Sequence, residues 1–474
     1  MAMAITPLLL AVSFKQCISM FIKGGEGAPH LGSMTTKSEA PSEYFWPSGR
    51  GRVGQYSQSS YSAPRNLETS LAWSWHDPQG RYRNVPGGAN IDDKKQIYLT
   101  SLDGIRKFSP DGELLWTWKR TDGEELPDMS SLYNGAVYTS TTAGRIIAIS
   151  METGKTLWTT KLASTDGNNG WVSAHAGVVI TGSDAKDDIR GRPGCCGSAD
   201  QFVTGLNATD GSILWKFQPE APVWNFMASF ADDGTFTFQD LEGRAYRCSL
   251  EDGHQIWKNG GAYGTWTDGT STLGPNGVVY AVNTFHMGGN GADAPGMVSA
   301  YRLEDGKMLW NTTVPRPPNN IPAIGRLAGR EGLSLVQPIG QQVMKGAPTD
   351  IYALDAETGE VQWIFNGPVE KNDLQAGDSN LMAQRQREQA GVRKITLPNP
   401  WGGPTIDQNG VVFIGSEEGP FFSLQDANAD GHVDGKAEVS KFDTFACFSG
   451  SSSPAIAPGM VVAASIDAMY VFKQ

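Results

Sequence analysis

Apolar and polar positions alternate along most of this chain in short runs, the two-residue period of a strand with one covered face. NGAVYTS followed by TTAGRIIAIS (residues 134–150) and NGVVYAVN (residues 276–283) show the pattern. Read backward from six tryptophans, one order recurs: an alternating run, a turn ending in Gly, a few residues, then Trp. The instances are SPDGELLW to Trp116, METGKTLW to Trp158, ATDGSILW to Trp215, LEDGHQIW to Trp257, LEDGKMLW to Trp310 and AETGEVQW to Trp363. The Gly supplies the positive φ of a tight hairpin, and the acidic or Thr neighbour caps the turn. Each Trp then falls on the outer strand of a four-stranded sheet, where it packs one sheet against the next.

Each unit of roughly 40 to 55 residues is therefore one propeller blade. A seventh unit runs from Pro400 through GVVFIGSEEGPFFSL to Phe442, with Phe in place of Trp and an enlarged turn. The eighth, SPAIAPGMVVAASIDAMYVF (residues 453–472), stops after three strands. LAWSW (residues 71–75) has the right alternation and no blade of its own, so pairing the two ends closes the ring and removes an edge. The expected fold is all-β, an eight-bladed β-propeller with four-stranded antiparallel blades closed by an N-terminal strand.

Composition agrees, with 57 Gly, 27 Pro and 14 Trp in 474 residues. Residues 1–23 hold a short apolar stretch, ITPLLLAVSF, and are assigned as a possible signal or targeting segment. Residues 24–66, rich in Gly, Ser, Pro and Tyr, are expected to be a disordered leader, and residues 67–474 the propeller. A net charge of −12 with no basic tract excludes nucleic acid as an expected partner. No apolar run reaches the roughly 20 residues of a membrane span.

The turn-and-Trp order, clearest in IYALDAETGEVQW (residues 351–363), resembles the repeat of the pyrroloquinoline quinone (PQQ) dehydrogenases. It is shared with non-catalytic relatives such as outer-membrane assembly lipoproteins, so it speaks for fold more than for activity. PGCCGSADQFVTGLNATDGSILW (residues 193–215) is similar to the segment of PQQ alcohol dehydrogenases that carries adjacent cysteines. The resemblance implies a vicinal disulfide of Cys195 and Cys196 beside a quinone, which would form in an oxidising compartment. It further implies a quinone resting on Trp266, with Trp224 as a competing floor, near the Gly-rich inner strand PWGGP that holds Trp401. Arg326 or Lys345 corresponds to the family's basic residue. Asp268 is the carboxylate to test as a base, and Asp184 or Asp187 could assist a metal. Two departures oppose activity: the family's calcium-liganding Asn corresponds to a displaced Asn283, and no acidic signature follows Trp310, where NTTVPRPPNNIPAIGR stands.

Separately from the resemblance, DANADGHVD (residues 426–434) places donors at Asp426, Asn428, Asp430 and Asp434, a Gly at the sixth position and a carbonyl expected from His432. That spacing predicts a calcium-binding loop, although the twelfth position is Ala437 and not Glu.

Two functions follow. One is a calcium- and PQQ-dependent oxidoreductase acting on a small-molecule alcohol or sugar. The other is a non-catalytic, calcium-stabilised propeller that binds a protein or glycan partner. Either belongs in a secreted, periplasmic-like or organelle-lumen setting sooner than in cytoplasm.

Overall fold

Asn134 and Gly135 both take positive φ, 46° and 76°, which is what a two-residue hairpin demands, and so Ser131–Tyr133 folds back onto Ala136–Ser140. Arg145–Ser150 and Thr156–Lys161 then add in order, giving a four-stranded antiparallel sheet. The same construction repeats around the computed structural model, which describes residues 44–474 except 53, 55, 81–85, 127–128, 163–170, 187, 190–191, 194–198, 263, 268–270, 286–293, 341–347, 370–399 and 449–452.

Among the described residues there are eight four-stranded sheets. Blade 1 is Pro86–Ile91, Ile97–Ser101, Gly104–Phe108 and Leu114–Lys119, and blade 2 is the sheet just built. Blade 3 joins Ser173–His175, Val178–Lys186, Ala199–Asn207 and Ile213–Phe217, and blade 4 joins Ser229–Phe230, Thr235–Gln239, Arg244–Ser249 and Gln255–Gly260. Blade 5 holds Thr272–Leu273, Val278–Thr284, Gly296–Arg302 and Met308–Val314. Blade 6 holds Ala323–Gly325, Ser334–Pro338, Asp350–Asp355 and Val361–Asn366. Blade 7 is Thr405–Ile406, Val412–Gly415, Pro420–Leu424 and Val439–Asp443. Blade 8 takes Ala455–Ala457, Met460–Ala464 and Ala468–Lys473 from the C-terminus and Leu71–His76 from near the N-terminus, with Trp73 opposite Val471 and Trp75 opposite Met469. The ring closes as the alternation in LAWSW predicts.

Second strands such as Ala136–Ser140 and Val412–Gly415 are buried throughout, whereas outer strands alternate between exposed and half-buried positions. The tryptophans explain how neighbouring sheets are joined. Each Trp indole donates to a carbonyl in the next blade's turn: Trp116 to Met151 (3.1 Å), Trp158 to Ala208 (3.0 Å), Trp215 to Leu250 (3.0 Å), Trp257 to Leu303 (2.7 Å) and Trp310 to Ala356 (3.1 Å). The ring lies on that turn's glycine. At Gly211, φ is +74° and a Cβ would stand 2.5 Å from Trp158, so this repeated geometry needs Gly twice, for φ and for space. Trp73 makes the same bond to Pro110 (2.9 Å), so the N-terminal strand also brings the fastener that joins blade 8 to blade 1.

The interface of blades 6 and 7 is built differently. Loop 426–434 lies along the outer strand of blade 6, where Ile364 N donates to Gly431 O (3.0 Å) and Val433 N to Ile364 O (3.1 Å). The enlarged turn therefore adds a short parallel pairing to the outer edge of that blade.

Before the closing strand, residues 44–67 run inside the ring. Trp46 exchanges two backbone hydrogen bonds with Ile91 of blade 1, and Leu132 N of blade 2 donates to Pro47 O. After a turn at Ser48–Gly51 the chain passes Ile324 of blade 6, Ile406 of blade 7 and Gly459 of blade 8, again through backbone hydrogen bonds. Of the expected disordered leader, residues 24–43 lie outside the described residues, as do residues 1–23. From Tyr44 onward the chain is instead packed on inner strands. The polar composition misleads because this segment buries its polar backbone against other backbone, and its apolar anchoring comes from a few residues, chiefly Trp46 and Leu67, both 0% exposed.

Candidate functional site

Strands alternate in direction, so connections between second and third strands share one face of the propeller with the linkers entering each next blade. Among the described residues singled out above, that upper face carries Asp184, Trp224, Trp266, Asn283 and Trp401, whereas loop 426–434, between third and fourth strands, lies on the other. Trp224, Trp266 and Trp401 lie on linkers into blades 4, 5 and 7, while Arg326, just past the first strand of blade 6, is exposed on the opposite face. Cys195, Cys196, Asp187, Asp268 and Lys345 lie outside the described residues.

The three tryptophans do not assemble a platform. Trp401 is 0% exposed and sits edge-on against Phe365 and Phe422, in the core between blades 6 and 7. An enclosed indole offers no open face, so the expectation that it borders a cofactor gives way to a packing role. Trp224 rests on Ala199, Ala221 and Leu241. Trp266 is half-buried and its backbone pairs with Thr284, 3.0 and 2.9 Å in the two directions. The neighbouring Asn283 faces the turn of blade 4, where a Cβ on Gly243 would stand 2.0 Å from its Oδ1.

Charged groups on the upper face are used in seams between strands. Asp240 accepts from Tyr246 Oη (2.8 Å) and from the Arg244 guanidinium (3.2 Å), which also meets Glu242 (2.6 Å) and Glu220 (2.9 Å). Burial pushes the Asp240 carboxyl above its ordinary range even so. Arg106 bridges Asp103 (2.8 Å) and approaches Asp77 (3.9 Å), and Glu124 is held low by hydrogen bonds from Arg145 and Thr141. Asp184 is paired to Lys216 at 2.7 Å. Each of these carboxylates is committed to a partner, which suits a structural seam better than a poised base.

At the axis, where a flat ring would have to lie, the chain's own residues 44–61 are found. Gly49 passes so close to Trp171 that a Cβ would stand 2.1 Å from the indole, and Trp171 packs with Met129, Met227 and Ile321 from three other blades. Arg50 is 1% exposed and donates to the carbonyls of Ile321 (2.9 Å) and Pro322 (2.8 Å). Pro317, Asn320, Pro338, Pro400 and Trp401 line a small cleft near the same carbonyls. The residues that the structure describes do not fit PQQ.

The acidic loop is held by a residue that the spacing did not single out. Glu438, the thirteenth position, turns into the loop and accepts from the amides of Ala427 (2.9 Å), Asn428 (3.1 Å) and Asp434 (3.0 Å). Asn428 Oδ1 accepts from Asp430 N and Asp430 Oδ1 from His432 N, both at 2.9 Å, while Arg330 of blade 6 pairs with Asp426. Ala429 at φ +60° and Gly431 at φ +90° make the reversal. Among the described residues no three His, Cys, Asp or Glu side chains come together as a metal ion requires. Glu438 and Arg330 hold the loop in this shape, while Asp426 Oδ1 stays buried without a hydrogen-bond partner. The Glu was legible in the sequence, one place beyond the expected position. Arg50 and Arg330 were not, since nothing local marks them.

A family model described as outer membrane protein assembly factor BamB matches residues 85–186, 195–363 and 242–397. The Yersinia pestis protein of that description is 23% identical over 340 residues, covering 67% of this chain and 82% of its own length. In structure, BamB from Moraxella catarrhalis superposes with a TM-score of 0.56 at 14% identity, over 85% of this chain and 99% of that one. A computationally designed protein, Ika8, superposes with a TM-score of 0.57 at 11% identity, over 85% and 100%. Repeat, ring and family match agree: the chain belongs to the PQQ-repeat propeller family of the outer membrane protein assembly factor BamB type.

Proposed function

We propose that this protein is a non-catalytic propeller that docks other proteins, acting in assembly and not in redox chemistry. The observation that carries this reading is the filled axis. Among the described residues, Trp46 and Arg50 are buried among the inner strands, where a quinone would need open space. Support for docking comes from the rim, where Leu115, Leu157, Leu214, Ile256 and Leu309 remain 39–58% exposed on successive outer strands. Repeated apolar exposure of that kind marks surfaces that meet other macromolecules. The assembly role named for the BamB relatives supports this reading, and with it a setting outside the cytoplasm.

The test is a spectroscopic titration of the purified protein with PQQ and Ca²⁺, followed by dye reduction with alcohols. No bound-quinone absorption and no turnover are expected. Stoichiometric quinone binding with alcohol-dependent reduction overturns the proposal. In parallel, Leu157→Asp or Leu214→Asp should release a partner that the wild type retains during purification from its source, while the melting temperature changes little.

A further inference from the structure

Nine non-glycine residues take positive φ among the described residues, and eight of them are Ser, Lys, Asn, Ala or Asp. The ninth is Phe445, at φ +55°. A bulky side chain is rarely found there, because its Cβ crowds the neighbouring carbonyl oxygen. At 63% exposure Phe445 is also the most exposed large apolar side chain of the described residues. Burial of the ring therefore does not offset the backbone strain.

Phe445 follows the outer strand of blade 7 on the linker toward blade 8, at the upper face. Its amide donates to Asp443 Oδ1 (2.9 Å). The Thr444 hydroxyl is shared between Gly419 O (2.8 Å) and Ala446 O (2.7 Å), and Thr444 N donates to Gly419 O (3.2 Å). Immediately afterwards Ala446, Cys447 and Phe448 are buried. A strained residue persists where its surroundings over-determine it, and such residues gather at sites that bind. Here the fixed turn holds an aromatic ring out in solvent.

We propose that Phe445 is an anchor that enters an apolar pocket on a partner protein, a pocket rimmed by Lys or Arg. This rests on the docking function proposed above and adds a site on the upper face to the outer-strand residues named there. A rigid aromatic loses little freedom on burial, and such side chains concentrate the binding energy of protein interfaces. The charge of the pocket's rim follows from exposed Asp443 beside the ring and from the net charge of −12, which also disfavour an anionic membrane as the occupant.

Phe445→p-benzoylphenylalanine and, separately, Leu157→p-benzoylphenylalanine are made in the full chain in its source cells, and the photo-crosslinks are mapped by mass spectrometry. From position 445 a crosslink into an apolar pocket edged by Lys or Arg is expected. The purified partner is then titrated: Phe445→Ala and Phe445→Gly should each weaken binding about tenfold or more, and Phe445→Trp much less. Because Gly adopts the left-handed backbone freely, Phe445→Gly should melt roughly 1–4 °C above Phe445→Ala, which separates lost binding from lost folding. A crosslink from position 157 and none from 445 overturns the anchor but leaves the docking function, whereas none from either overturns both. Unchanged affinity in Phe445→Ala and Phe445→Gly, or equal melting of the two, also overturns the proposal. So does binding to phosphatidylglycerol vesicles that Phe445→Ala abolishes, since that would assign the ring to a membrane.

Discussion

The two oxygens of Glu438 take three backbone amides of loop 426–434, so this single side chain sets the loop's shape. Glu438→Gln turns an N–H donor toward those amides and should cost about 1–3 kcal/mol in chemical denaturation, equally with calcium or chelator present. Asp430→Ala, on the exposed tip, should cost less than about 1 kcal/mol. A calcium-dependent rise in wild-type melting that Asp430→Ala abolishes would restore the cation reading. Asp407 shows another residue-scale effect. It accepts from the amides of Asn409 (2.8 Å), Val411 (2.9 Å) and, in the axial segment, Ala63 (3.1 Å), yet burial still raises its carboxyl pKa above 3.8. With the folded pKa above the unfolded one, the folded chain holds a proton that the unfolded chain releases. Stability from this group is therefore gained as pH falls through the folded value and lost as pH rises through it. In Asp407→Asn that gain is absent, so the stability of wild type relative to variant should improve as pH falls from neutral into the acid range. A difference that stays constant with pH contradicts the assignment.

At the scale of elements, the recurring unit is a Trp of one blade on the Gly turn of the next. Gly211→Ala combines a left-handed backbone with a collision against Trp158, and should destabilise by about 1–3 kcal/mol. Trp158→Phe keeps the apolar ring but leaves the Ala208 carbonyl without its indole donor, a loss of about 1 kcal/mol. Truncation separates the N-terminal elements. Removing residues 1–43 should leave the melting temperature of the ring nearly unchanged. Removing residues 1–69 takes out the axial segment and exposes inner-strand backbone, and should lower it by well over 5 °C. Removing residues 1–76 also deletes Leu71–His76 and the Trp73 fastener, which opens blade 8 to solvent and should abolish cooperative folding. Calorimetry of the three truncations distinguishes the contributions, and equal melting of the last two would mean that closure by Leu71–His76 adds nothing.

For the whole molecule, closing a ring of eight sheets determines which surfaces are left for function. Inner strands surround an axis, and here the axis is spent on residues 44–61. The outer strands keep apolar side chains in solvent around the rim, and the upper-face ion pairs are absorbed in blade seams. On the proposed function, it is this exterior that meets partners. Its likeness to quinoprotein enzymes is a likeness of blades, which any propeller must build.

Blade count, turn chemistry and the borrowed closing strand were all legible from periodicity, because a strand buried on one face must alternate and a tight hairpin must have Gly where φ is positive. The function of each Trp as an interblade contact followed from the same local rules. The axial segment was not legible: its hydrogen bonds run to distant parts of the chain, as from Arg50 to Ile321, and no local pattern records them. The same holds for Trp401, whose PWGGP setting resembles a cofactor strand until Phe365 and Phe422 enclose it. Glu438 lies between the two cases, visible as a carboxylate near a calcium-like spacing but given its role by a turn that carries it back onto three amides. Periodicity is a property of neighbours along the chain, so it determined the blades. Which groups meet at the centre of the ring depends on eight blades closing together, and only the tertiary structure decided that.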